Sequence, residues 1–348
     1  MSGTELLTNV AGALSQRFAP KLARQFNRLT VLGSVIPTEP GFGKNVGWDV
    51  EVSGAVASSY AEGADLVSGD YNVDPIVPAT LSWGHYKSAF AMSETEVNAA
   101  ASSAGSADAI LKLVGERIMS NGAKLASVIN VDLWSGTGSD TNSNPNIVGL
   151  QGGAAETTGI YANINRSSYT EWKGNVLSNG GIARALTIDL LDQLESNIYT
   201  ASGVKPNIIV CDPNVFRKYK GLFESLRRID GTGPLVYNTS TSELFYQGIP
   251  ILRDKDAPSG TLQMFNTEYV KKVYLPNAQQ ANEDVYKATE FEGTGSNGDG
   301  NETGMGLPFR IVPIAKTGDS LKFMVKAVLN LKVTRPNTVG YVKDIQTS

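Results

Sequence analysis

The sequence predicts an α+β fold organised around one long helix. Three observations carry this reading. Residues 106–134 place Ile110, Val114, Ile118, Leu125, Val128 and Leu133 along one face at helical spacing, flanked by Leu111, Ile129 and Trp134. Residues 45–80 alternate as two strands punctuated by Gly63, Gly69, Pro75 and Pro78, the pattern of a long, thin hairpin. Residues 186–266 mix helical stretches with short apolar runs, and Phe323–Val333 alternates more cleanly than any other segment.

The elements follow in order. In residues 1–36, Leu7, Val10, Leu14, Phe18, Leu22 and Phe26 recur at spacings of three or four, and Pro20 divides this arm into two short helices. Arg17, Lys21, Arg24 and Arg28 form one basic stripe, with no acid between Gln16 and Pro37. Two readings stay open: a solvated helix face, or contact with an acidic partner. The hairpin region supplies such acids in Asp49, Glu51, Glu62, Asp65, Asp70 and Asp74, and residues 45–80 contain no Lys or Arg. Val46, Trp48, Val50 and Val52 alternate in its first strand; the second runs through Val73, Ile76 and Val77 towards Leu81. An isolated two-stranded hairpin is marginal in water, so it must lie on its own core or on another subunit.

The long helix, with Ser106 and Asp108 suited to its start, would span roughly 40 Å at a rise of 1.5 Å per residue. Gly115 and Gly122 weaken it slightly. Residues 135–159 read as loop. A helix is expected within Ser167–Leu177 around Tyr169 and Trp172, a second over Leu186–Thr200, and a third over Pro213–Phe223, with Pro213 in its first turn. Asn207–Cys211 reads as a buried strand, and Tyr246–Leu252 and Gly260–Asn266 as further strands. Glu292–Pro308 is a Gly-rich loop. Phe323–Val333 is then followed by a turn at Pro336 and by Val339–Ile345 as its partner strand.

Composition excludes most chemistry. The 348 residues are 41% hydrophobic and 18% charged, a globular balance that allows one large domain or several lobes. The net charge of -4 shows no basic surplus for gripping phosphates. One cysteine and one histidine rule out disulfide frameworks and multi-residue Cys or His metal sites. A Ser-His-Asp or Cys-His mechanism would have to use His85, but no G-x-S-x-G elbow supplies a nucleophile, and His85 reads as a packing residue between Trp83 and Tyr86. Cys211 reads as a buried, inert thiol. Asp254 and Asp256 read as turn residues between Pro250 and Pro258.

Gly293, Gly295 and Gly298 match a dinucleotide fingerprint in letters, but poor helix material follows them. Asp299, Asn301 and Glu302, like Asp140, Asn142 and Asn144, carry too little charge for a calcium site. No cofactor, metal or catalytic residue is expected. Met1–Phe18 does not read as a secretory signal, and no apolar run is long enough for a membrane-spanning helix.

Three blocks then point to a family. They are GIYANINRSSYTEW at Gly159–Trp172, VKPNIIVCDPNVFRKYKGLF at Val204–Phe223 and YQGIPILRDKDAPSGTLQMFNTEYVK at Tyr246–Lys271. Asn163, Arg166 and Trp172, then Pro206, Asp212, Pro213 and Tyr219, then Gly248, Pro250, Asp254, Pro258, Gly260, Phe265 and Asn266 are the matching positions. Together the blocks resemble the major capsid proteins of tailed bacteriophages with the Hong-Kong-97-type fold, over roughly Gly149–Lys271.

The resemblance implies an arm at 1–42, an extended hairpin loop at 43–90, a peripheral domain at 91–180 with its spine helix at 106–134, an axial α/β domain at 181–319, and C-terminal strands at 320–348 completing the peripheral domain. It implies a mechanical, non-enzymatic role. Copies would assemble as hexamers and pentamers into an icosahedral shell in the virion, enclosing double-stranded DNA without sequence-specific binding. The chain begins almost directly with the arm, which resembles members whose scaffolding protein is separate; a portal is the other expected partner, and no membrane is involved.

Arg17, Lys21, Arg24 and Arg28 are expected to meet the acidic hairpin of a neighbouring subunit. An encapsulin-like nanocompartment is the first rival reading. An α/β enzyme or a monomeric adhesin ranks lower.

Overall fold

The computed structural model describes residues 30–51, 59–63, 76–93, 106–227, 244–275, 309–314 and 320–347, with positions 21, 22, 25, 65, 95 and 96. Along the chain run α1 (Val31–Val35), β1 (Thr38–Pro40), β2 (Asn45–Glu51), β3 (Ile76–Ser82), β4 (Gly84–Ser93), α2 (Ser106–Ser135), β5 (Thr137–Ser139) and β6 (Pro145–Val148). Then follow β7 (Ile160–Tyr161), β8 (Ile164–Asn165), β9 (Asn175–Leu177), α3 (Ile188–Ser202), β10 (Ile208–Cys211), α4 (Pro213–Arg227), β11 (Leu244–Tyr246) and β12 (Ile249–Arg253). The last elements are β13 (Leu262–Phe265), β14 (Val270–Tyr274), β15 (Arg310–Ile314), β16 (Ser320–Val333) and β17 (Gly340–Val342). They form two compact units, each assembled from three separate stretches of chain.

The first unit takes residues 1–42, 83–147 and 271–331. Its sheet is centred on β16, which pairs antiparallel with β4 from Gly84 opposite Leu329 to Ser93 opposite Ser320. β15 pairs with β16 from Arg310 opposite Lys326 to Ile314 opposite Lys322, necessarily on its other side. β14 also joins β16, and β1 runs parallel to β14 with Thr38 opposite Lys272. Alternation buries Phe323, Val325, Ala327, Leu329, Leu331 and Val333 of β16.

The long helix α2 packs on β4. It buries Val114, Ile118, Leu125, Ile129, Leu133 and Trp134, whereas Val128, expected on the buried face, is 41% exposed. Val128 sits one residue, about 100° of helical turn, from Ile129 at the centre of the buried face. Gly122 serves packing: a Cβ there would fall 2.1 Å from Leu22 Cδ2, and Leu22 is buried. The two arm helices expected around Pro20 otherwise lie outside the described residues.

The second unit takes residues 43–82, 148–270 and 332–348. Its main sheet has the order β11-β12-β10-β13-β17-β9. Leu190, Leu191, Leu194 and Ile198 of α3, with Val215 and Tyr219 of α4, pack on Ile209, Cys211, Leu262, Met264 and Val342 of one sheet face. Each such Leu or Ile contributes about 1.5–3 kcal/mol by burial. α3 starts where the Thr187 hydroxyl accepts the Leu190 N–H and stops at Gly203, whose φ of 73° forms a left-handed cap.

Several expectations are corrected. Ser167–Leu177 holds one 3-10 turn, Thr170–Trp172, and then β9, not a helix. Asn165 Oδ1 takes the Ser167 N–H into a turn, and a Cβ at Gly174 would meet the Ala155 carbonyl oxygen at 2.0 Å, so the backbone is pinned there. Tyr246–Leu252 is not one strand. Gln247 and Gly248, with φ of 47° and 85°, turn β11 back onto β12 as an antiparallel hairpin.

The C-terminal segment does not pair with β16. The 3-10 turn Pro336–Thr338 carries it away, and β17 runs antiparallel to β13 and parallel to β9. The stretch 320–348, expected to complete one domain, therefore contributes β16 largely to the first unit and β17 to the second. Residues 135–159 are more ordered than a loop, with β5 and β6 paired and a π-helical turn at Leu150–Ala154.

Candidate assembly surface

The hairpin is built as its alternation requires. β2 and β3 pair antiparallel from Asn45 opposite Ser82 to Glu51 opposite Ile76. Val46 and Val50 are buried on one face, and Asp49 and Glu51 stand exposed on the other. Within its own unit the hairpin lies on the short ribbon β7–β8. The Thr80 N–H donates to the Ala162 carbonyl at 3.0 Å, and Asn163 Nδ2 donates to Thr80 Oγ1 at 2.5 Å. Trp48 lies 6.5 Å from the Tyr161 ring, with the Lys332 ammonium 5.8 Å over the indole.

A buried arginine holds that ribbon in shape. Arg166 Nε donates to the Trp172 carbonyl, Nη1 to that of Thr158, and Nη2 to those of Ala154 and Gly153. Its guanidinium sits 5.4 Å over the Tyr161 ring, which stacks on Trp172 at 5.8 Å. Trp172 Nε1 donates to the Tyr161 carbonyl at 3.1 Å, and the Tyr161 hydroxyl accepts the Val333 N–H at 3.0 Å. Burial lowers the Arg166 pKa and raises that of Tyr161. Burying this charge is tolerable because several carbonyl dipoles converge on it.

In the first unit, β4 is fixed to the long helix. The Tyr86 hydroxyl donates to Asp132 Oδ2 and accepts from the Ile147 N–H. Gly84 is required there, since a Cβ would lie 2.9 Å from the Leu329 carbonyl oxygen and 3.0 Å from Ile147 N. At the arm's base, the buried Lys272 Nζ donates to the Gly33 carbonyl at the end of α1.

The residues of the charge-contact hypothesis divide unevenly. Arg17, Arg24, Arg28, Asp70 and Asp74 lie outside the described residues. Lys21 is an exposed helical residue, and Asp49, Glu51, Glu62 and Asp65 are exposed. Large apolar side chains of the same unit are exposed as well: Tyr60 is 83% and Ile76 61% exposed. Sequence reading missed the Tyr86–Asp132 bond and Lys272.

The enzyme-like features resolve into structure. His85 is exposed on β4, not packed between aromatics, because strand alternation turns it away from the buried Trp83 and Tyr86. Cys211 is buried in the α3–α4 core, which raises its thiol pKa far above the ordinary range. Asp254 accepts the Asp256 N–H at 3.0 Å, a self-capped turn. Asp140 accepts from the backbone N–H groups of Asn142 and Asn144, both at 2.8 Å, and closes its own loop. The Gly-rich stretch 292–308, with Asp299, Asn301 and Glu302, lies outside the described residues. Among the described residues no His, Cys, Asp and Glu cluster suits a metal ion, and no helix is long and apolar enough to cross a membrane.

The family model of the SU10 major capsid protein matches residues 86–346. The chain belongs to that family. No curated protein matches it by sequence. The fold of this major capsid protein resembles the cyanophage A-1(L) capsid asymmetric unit, with a TM-score of 0.69 at 20% identity, covering 90% of this chain and 91% of that one. It also resembles the capsid of the native GTA particle, with a TM-score of 0.56 at 12% identity over 90% and 89% of the two chains. A weaker likeness is to the SrpI encapsulin of Synechococcus elongatus PCC 7942, with a TM-score of 0.52 at 13% identity over 92% and 89%. These likenesses establish the Hong-Kong-97-type capsid fold, and the family establishes a phage capsid role.

Proposed function

We propose that copies of this capsid protein assemble as hexamers and pentamers into an icosahedral shell around a double-stranded DNA genome, aided by a separate scaffolding protein and a portal. The observation that carries this reading is the capsid family match across 86–346 on a chain of capsid fold. The role is mechanical and not enzymatic, and its place is the virion after assembly in the host cytoplasm. The arm ahead of β1 and the β2–β3 hairpin reach between subunits, and the two units form the wall. Exposed Tyr60 and Ile76 in the same segment as exposed acids support the hairpin as a contact surface, since large apolar side chains in water favour a partner.

Arg17, Lys21, Arg24 and Arg28 meet Asp49, Glu51, Glu62, Asp65, Asp70 and Asp74 of a neighbour. Each exposed pair contributes only about 0–1 kcal/mol, but a shell repeats it many times.

Negative-stain electron microscopy of the expressed chain, alone and with a co-expressed scaffold, tests the reading. Closed shells or uniform rings are expected, and a strict monomer in every condition would overturn it. DNA inside the particles separates a genome shell from a cargo-loaded compartment of the encapsulin kind. Reversing the four arm charges should impair assembly at low salt; unchanged assembly removes the arm–hairpin contact.

A further inference from the structure

The sheet of the first unit has one face turned to α2 and one turned away. On the α2 side stand Tyr86 and Ser88, whose hydroxyls bond Asp132 and Asn121 of that helix. Alternation puts His85, Lys87, Ala89, Ala91 and Ser93 of β4 on the opposite face, all of them exposed.

Strand register then lines up charge on this open face. Lys87 lies opposite Lys326 of β16, and Lys326 lies opposite Arg310 of β15. Three cations thus stand side by side across three adjacent strands. At about 4.8 Å between strands, the row spans about 10 Å. Lys322 shares the face, opposite Ala91 and Ile314. The positions of β4, β15 and β16 on this face include no acid. Lys87, Lys326 and Arg310 make no side-chain hydrogen bond or ion pair among the described residues.

Like charges directly opposite one another destabilise a sheet. Lysine on an edge strand is explained by its use against unwanted strand addition. That reason does not reach Lys326, because β16 is a central strand with β4 on one side and β15 on the other. Burial lowers the Arg310 pKa, and no carboxylate opposes the shift. Nothing within the described chain offsets this concentration of charge.

Spacing selects the chemistry of the partner. An extended protein segment offers a side chain on one side only every two residues, about 6.7 Å. Laid across the row it could present at most about two acids. A DNA duplex carries one negative charge per about 1.7 Å of axis, so about six face a row of this length. The flanking side chains on β4, Ala89, Ala91 and Ser93, are small and leave the face open to a broad polyanion.

We propose that this open face meets the genome: Lys87, Lys326 and Arg310, flanked by Lys322, take phosphates of double-stranded DNA without reading its sequence. The proposal rests on the shell reading and turns this face of the first unit inward in the shell. A few phosphate contacts per subunit give a weak hold that fades with salt. The local cation row provides it on a chain whose net charge is -4.

Binding of a short labelled DNA duplex of arbitrary sequence to the unassembled full chain, read by fluorescence anisotropy across a salt series, tests this. Lys87→Gln combined with Lys326→Gln should weaken binding about tenfold, and the slope of log affinity against log salt should fall by about 2. The same chain should melt at or above the wild-type temperature, because a like-charge pair has gone. Lys44→Gln combined with Lys255→Gln removes as much charge from exposed positions of the other unit and should leave binding near wild type. Wild-type duplex binding by the variant at 87 and 326, or an equal loss in the control, would overturn the proposal. Unchanged duplex binding with shells lost would also overturn it and assign the face to a protein partner. Electron microscopy scores the shell reading separately: a wild type that forms no shell ends that reading, whereas the duplex measurement decides the face in either case.

Discussion

The Tyr86 hydroxyl donates to the Asp132 carboxylate at 2.6 Å and accepts the Ile147 N–H at 3.0 Å. One oxygen thus ties the strand that follows the hairpin to the long helix and to β6. Burial raises the Asp132 pKa against the opposing effect of hydrogen bonds from Tyr86 and Asn146. Tyr86→Phe keeps the ring and strips both bonds, leaving a partly buried carboxylate and a buried N–H without this partner. The expected loss is about 1–3 kcal/mol, read as a lower denaturant midpoint with an unchanged slope. A loss near zero would mean that water replaces the hydroxyl.

Arg166 acts through its shape. Its guanidinium reaches the carbonyls of Trp172, Thr158, Ala154 and Gly153 at once. Arg166→Lys keeps the charge but offers one compact ammonium on a thinner stem. It should destabilise the chain by about 2 kcal/mol or more, each orphaned buried carbonyl costing about 1–3 kcal/mol. Equal stability of wild type and Arg166→Lys in urea would show that charge alone matters.

Lys272 predicts a pH dependence. Burial lowers its pKa to about 7, against about 10.4 in an unfolded chain. The folded state therefore holds this proton less tightly than the unfolded state. The penalty is full below about pH 7 and fades as the pH rises towards the unfolded value. Wild-type stability should therefore gain on that of Lys272→Met between about pH 7 and pH 9. Parallel stability curves for the two chains would contradict this.

Gly84→Ala should be severe. Its Cβ would press on backbone at Leu329 and at Asn146–Ile147, none of which is a flexible side-chain end. Loss of soluble, folded protein is expected, and wild-type yield with an unchanged melting temperature would refute it.

Much of this architecture was legible, for identifiable reasons. α2 declares itself through Val114, Ile118, Leu125, Ile129 and Leu133, which share one face. The alternation of Val46, Trp48 and Val50 announced β2, and in the structure Val46 and Val50 are buried while Asp49 and Glu51 are exposed. β4 was not read as a strand, because Gly84 and Ser88 stand at inward positions and Ala89 and Ala91 at exposed ones, so hydropathy does not alternate although burial does. β14 hides behind the adjacent Lys271 and Lys272, one pairing with Glu39 and the other buried. Arg166 stood out only as a matching residue, since its carbonyl partners follow no period. β17 was assigned to its sequence neighbour because short connections favour hairpins, and the turn at Pro336 defeats that default.

The ten matched residue pairs between β4 and β16 have a mechanical meaning. A pull arriving at Gly84 along the strand axis does not peel the ladder one rung at a time. It loads the whole set of hydrogen bonds together, in shear. A strand loaded in that way stays paired until many bonds yield at once.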